Sequence, residues 1–371
     1  MPKPTEKLTA WWDGFWGNVK HSPAILPTLH RISPDHIDKQ MGGRFKRDQH
    51  YFTIKVNRIF LKYDREFWTT YAPMALVVSE FQYDGDDIVA PFVVGPSMLE
   101  EKQIELPDRR FMFLDTKVAG IHPYKGGGLK LTVILYKVKR TDLAKKLLKV
   151  VENMASVLDF SQALSAYLKI GAVLVETVGE VIGADPDNQP LIGLRQEFGD
   201  ADDINPGYFA LIEGKIEKSK LRVEDNALLY GDVGNASQFT DANYVLYSIH
   251  QTTDRNDFEK LSFYGQWKTA LAEAHTANPE KWLSAKANWT TLYQMMSLSP
   301  DLISPHAEDL ADQCFTDMET KHNNVKKRAG IMGSMENEQK ALGEAGDLRG
   351  ISEHLDQVRS KSVSVLRPDR P

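Results

Sequence analysis

From Tyr51 to Lys139 the chain repeats one texture: short runs with apolar residues at alternate positions, punctuated by glycine, proline and aspartate. Successive side chains of a strand point to opposite faces, so this texture commits the region to sheets and excludes a helical bundle there. In YFTIKVNRIFLKY, Phe52, Ile54 and Val56 share one face, after which Ile59 and Leu61 carry the apolar side. The slip at Asn57–Arg58 predicts a bulge or a crossing between sheets. Residues 72–83 form the next run, closed by the turn residues Asp84-Gly85-Asp86-Asp87. IVAPFVVG, RRFMFLDTKVAGI and LKLTVILYKVK follow, the last with Leu129, Leu131, Val133 and Leu135 on one face. Strands at such short spacing predict a β-sandwich-like or partly closed barrel domain over 51–140.

At Thr141 the period lengthens. Leu143, Leu147, Val150, Met154 and Leu158 fall on one helical stripe, and a second helical stretch runs from Ser161 to Gly183. Together they predict a central helical hairpin over 141–183. Residues 184–206 read as an acidic loop. The runs in 207–253 read as further strands completing the β-part, and 254–328 as a helical C-terminal part with Pro279 and Pro305 near two helix starts. Glycines 330, 333, 343, 346 and 350 predict a flexible tail over 329–371. The fold class expected is therefore α+β.

Ahead of the strands, residues 1–50 read as an irregular aromatic segment. Trp11, Trp12, Phe15 and Trp16 would line one face of a short helix, either packed on the core or offered as an interaction surface. Pro23, Pro27 and Pro34 then forbid a long helix.

Charge is unevenly spread. Residues 1–150 carry 24 Lys and Arg against 17 Asp and Glu, a net of +7; the totals of 45 and 51 leave 21 against 34 beyond, a net of −13. The basic half could attract phosphate or an acidic partner, although no dense Lys/Arg run marks a nucleic-acid track.

Sites of chemistry are not announced. Cys314 is the single cysteine, so neither an intrachain disulfide nor a cysteine-based zinc cluster can form. Cys314 and His322, eight residues apart on one helix, would stand about 12 Å apart, too far for a nucleophile pair. His306 and Asp309 share one helical turn without a further ligand, and the acidic turns near Asp84, Asp185 and Asp200 do not continue into a calcium loop. No P-loop or nucleophile elbow is present. Metal and cofactor are both expected to be none. A hydrolase with a dispersed site has His122, Asp115 and Ser97 as nominal residues. The helix face of Ile170, Val173, Leu174, Val178 and Val181 suits close packing or insertion into a membrane, but Lys169, Glu176 and Glu180 interrupt it as a constitutive span. The N-terminus lacks an uninterrupted apolar h-region, which together with one cysteine points to the cytoplasm. The expectation is a non-catalytic binding, scaffold or regulatory subunit of a multi-protein complex. Its partner would be another protein; nucleic acid is not expected, and a small-molecule ligand is left open. The alternatives are the dispersed-site hydrolase and a membrane-active or pore-forming protein using 161–183, released by proteolysis in the tail.

Overall fold

A computed structural model describes residues 4–19, 27–66, 68–95, 110–139, 190–199 and 205–344. The fold mixes antiparallel sheets in the N-terminal part with helices at the C-terminus, and the sheets do not close into a barrel. The central hairpin expected over 141–183, with Ile170, Val173, Leu174, Val178 and Val181, lies outside the described residues, as does Ser97. The chain divides into two compact units, Met1–Tyr264 with Tyr293–Leu310, and Gly265–Leu292 with Ala311–Pro371.

The first unit holds two large sheets. One runs in the order β1 (Pro27–Arg31), β9 (Gly207–Glu213), β13 (Tyr244–Thr252), β2 (Tyr51–Phe60) and β6 (Phe111–Pro123). The other is built on β4 (Thr69–Tyr83), which pairs with β5 (Asp86–Val94) and β7 (Leu129–Lys139); β7 continues to β8 (Pro190–Phe198), and β3 (Arg65–Glu66) adds a short pair. Phe52, Ile54, Val56, Ile59 and Leu61 of the first sheet and the adjoining chain share one buried core with Leu129, Leu131, Val133 and Leu135 of the second. The slip in β2 is a real irregularity, since its ladder to β6 shifts register between Val56 and Arg58. That shift lets both Val56 and Ile59 face the core. The β4–β5 hairpin turns on Asp84 and Gly85, both at positive φ as a two-residue turn of this hand requires. Pro91 costs no central ladder bond, because β5 is an edge strand.

Both sheets are covered on their outer faces too. Helix α1 (Pro4–Val19) lays Trp12 against Met74, Leu76, Val78, Ile134 and Val138 of β4 and β7. A small sheet of β10 (Leu221–Glu224), β11 (Ala227–Tyr230) and β12 (Ser237–Gln238) covers Phe60, Tyr208, Tyr244 and Leu246 of the other. Two segments correct the sequence expectation. β1 lies inside the stretch expected to be irregular, and Pro190–Phe198 is a strand inside the expected acidic loop. Both are edge strands with only partial burial, so their sequences carry little alternation. Pro190 sits at the first residue of β8, where a missing N–H is tolerated.

The helices described toward the C-terminus are α2 (Tyr264–Glu273), α3 (Pro279–Ser297) and α4 (Ser304–Glu344). Asn278 caps α3, its Oδ1 accepting from the N–H of Glu280 at 2.8 Å. α4 runs through Gly330 and Gly333, past Arg328 where the sequence reading placed the start of a flexible tail. Each glycine costs about 1 kcal/mol of helix propensity, and the Lys, Arg, Ala, Met, Glu and Gln around them offset it. In the second unit Trp289 packs at a tilt against Phe315 and donates its Nε1–H to the Ala311 carbonyl at 3.0 Å, while Trp282 stacks on His322 at 4.3 Å.

Candidate functional site

Of the aromatic stripe, the Trp11 side chain lies outside the described residues, and Trp12, Phe15 and Trp16 pack on the protein itself. Trp12 is fully buried and donates its Nε1–H to Glu80 Oε1 at 3.0 Å; Phe15 and Trp16, half-buried, stack beside it. What these three rings recognise is the outer face of the chain's own sheet. Burying an aromatic ring of this size contributes on the order of 2–3 kcal/mol, which explains why an N-terminal helix stays attached.

The nominal hydrolase residues are not brought together. Asp115 lies half-exposed, accepting from Asn57 Nδ2 at 3.1 Å and facing Lys55 Nζ at 3.4 Å. His122 is buried between Phe52 and Phe81, stacked on the latter at 4.8 Å. Burial first, then the positive charges of Arg255 and Lys117, push its pKa down to about 3, so the ring is neutral. Its Nε2 has no hydrogen-bond partner.

A polar network reaches the chain beside that histidine, at the Ile121 carbonyl, and no sequence motif marks it. Arg255, only 3 % exposed, clasps the Asp257 carboxylate through Nε at 2.5 Å and Nη2 at 3.3 Å. Its Nη1–H groups reach the carbonyls of Asp301 at 2.9 Å and Ile121 at 3.3 Å. The Tyr83 hydroxyl donates to Asp301 Oδ1 at 2.9 Å, and the Tyr51 hydroxyl accepts from the N–H of Ile303 at 3.1 Å and lies 2.9 Å from His306 Nδ1. Asp48 bonds Lys125 and the hydroxyl of Ser304. His306, read from sequence beside Asp309 as a lone metal candidate, is thus engaged by tyrosine, and the described residues hold no cluster of three metal-ligating side chains. Arg255, Tyr83, Tyr51 and Asp48 each bond into segment 301–306 and so hold it near the ends of β2, β4 and β6. Its chemistry is that of a fastening.

One serine–histidine contact exists. Ser248 Oγ lies 2.8 Å from His250 Nε2 on β13, and burial with the charge of Lys55 pushes the His250 pKa down to about 4. Ser248 is fully buried, so no substrate reaches its hydroxyl in this conformation.

Two surfaces remain. The first is a cleft of about 530 Å³ beside the start of β9, walled by the 31–44 segment and by Asn205, Pro206 and Gly207. The second is the distal half of α4. Met318, His322, Val325, Ala329 and Met332 recur at spacings of four and three, which holds them on one stripe. Met318 and His322 are buried, Val325 is half-buried, Ala329 is exposed, and Met332 is 64 % exposed with Ile331 and Met335 beside it. The stripe continues after its covering ends. Cys314, near its start, is buried, and burial pushes its pKa up to about 12. Among the described residues no helix is long and apolar enough to cross a membrane. No family model matches the chain, and no curated protein matches it.

Proposed function

We propose that the protein is a non-catalytic binding or scaffold subunit of a cytoplasmic multi-protein system, acting through protein–protein contacts. The observation that carries this is the continuation of the α4 stripe beyond its own packing. Exposed Ile331, Met332 and Met335 form a contact surface at helical spacing, and methionine side chains adapt to a partner's shape. Lys326, Lys327 and Arg328 precede them. The partner fitting this pattern is a helical protein with an apolar seam flanked by carboxylates.

Affinity purification from the native host followed by native mass spectrometry tests this, run on the wild type and on Met332→Glu/Met335→Glu. The expected result is a stoichiometric protein partner lost from the variant, whose circular dichroism is unchanged. A chain that purifies alone, or a partner retained equally by the variant, overturns it. The dispersed-site hydrolase is the second reading, favoured only by the Ser248–His250 contact. A fluorophosphonate that labelled Ser248 in the folded protein would establish it; we expect no labelling.

A further inference from the structure

The basic half of the sequence is not absorbed by a scaffold role, and one of its features is a preformed cleft. The 31–44 segment is tied to its surroundings at several points. The N–H of Asp38 donates to the Val223 carbonyl at 3.2 Å, and His36 Nδ1 lies 3.0 Å from the Leu221 carbonyl. At the far end Gln251 Nε2 donates to the Arg44 carbonyl at 2.9 Å. Gly42 holds φ +87°, a backbone conformation that favours glycine, where the loop passes the Gln251 side chain. A wall fixed this way spares a ligand much of the ordering cost of binding.

The lining is amphipathic in a directed way. Ile32, Ile37 and Met41 supply an apolar floor, and Arg31, Lys39 and Arg44 supply cationic groups at exposed positions. Among the described lining residues Asp38 is the one carboxylate, and its Oδ2 accepts from the N–H of Asp225 at 2.8 Å. Arg31 uses Nη2 on the Pro206 carbonyl at 3.2 Å, which positions a guanidinium with other N–H groups at the rim.

We infer that this cleft binds a small organic phosphate of nucleotide size, its phosphate on Arg31, Lys39 and Arg44 and its body on the Ile32–Met41 floor. The volume suits such a ligand, and guanidinium groups match phosphate oxygens in geometry as well as charge. This site is independent of the α4 surface, so neither proposal depends on the other.

The test is isothermal titration of the full-length protein with AMP and with inorganic phosphate, at low and at raised salt. AMP is expected to bind saturably with a Kd on the order of 100 µM or tighter, and to weaken as salt rises. Inorganic phosphate is expected to bind at least about tenfold more weakly, since it leaves the floor empty. Lys39→Ala and Arg44→Ala should each weaken AMP about tenfold or more, Lys39→Arg should retain most of the affinity, and Lys215→Ala, an exposed charge elsewhere, should leave it unchanged. Absence of saturable binding up to millimolar AMP overturns the assignment. So does binding that survives both alanine substitutions, or that is matched by inorganic phosphate alone.

Discussion

The two units handle their apolar residues differently. In the β-rich unit each large sheet has both faces covered: the inner faces by one another, one outer face by Trp12 and its helix, the other by the β10–β12 sheet. In the helical unit the α4 stripe is covered at Met318 and His322 and bare by Met332. The sheet faces of the β-rich unit are thus spent on its own core, although Trp68, Val233 and Leu298 stand exposed, and its concave feature is the cleft with its cationic rim. A region with apolar surface to spare has a reason to meet another protein. The two contacts proposed above, a phosphate in the cleft and a protein on α4, rest on that contrast.

The sharpest way to break that contrast is to attack the interior of the β-rich unit. Arg255→Met leaves the Asp257 carboxylate and two carbonyls without their donor, and we expect a loss of about 4 kcal/mol in urea unfolding. A loss under 1 kcal/mol would show the network to be wet and the segment 301–306 loosely held. Next is Trp12→Ala, expected to cost about 3 kcal/mol, with Trp12→Phe costing about 1 kcal/mol by losing chiefly the bond to Glu80. If both were silent, α1 would not cover the sheet and the stripe would be free for a partner after all.

His122 supplies a pH test. Its folded pKa of about 3 lies below the unfolded value near 6.5, so its contribution is complete above pH 6.5 and is lost as pH falls toward 3. The slope approaches about 1.4 kcal/mol per pH unit inside that window. Between pH 7 and pH 5 the wild type should therefore lose about 2 kcal/mol more than His122→Phe, measured by denaturant titration at each pH. Parallel losses would mean that the ring protonates without opening the core. The smallest expected effect is chemical. Cys314 should resist an aromatic disulfide reagent at neutral pH until the protein unfolds, because it is buried and its thiol titrates near 12. Reaction at the rate of a free thiol would place an opening in the covered half of α4, and the contrast between its two halves would disappear.

Much of the β-rich part was legible in advance where one face of a strand is buried and the other is marked. The alternation in β2 and β7 named the core side, and the slip at Asn57–Arg58 located the irregular ladder. The edge strands β1 and β8 escaped notice because half-covered strands carry almost no period. The Arg255 network escaped for a different reason: its members come from 48, 51, 83, 121, 255, 257 and 301–306, and only folding makes them neighbours. The cleft was hinted at by net charge alone.

By itself, then, the sequence determined which segments alternate, where the period changes to helical, and which residue types the chain lacks. Those properties are local, written in the spacing of neighbouring side chains. Tertiary structure decided which faces receive a cover, whether the tryptophans look inward, and which cations border a cavity. Each of these depends on what a distant segment places opposite, and burial is a property of the pair rather than of either partner.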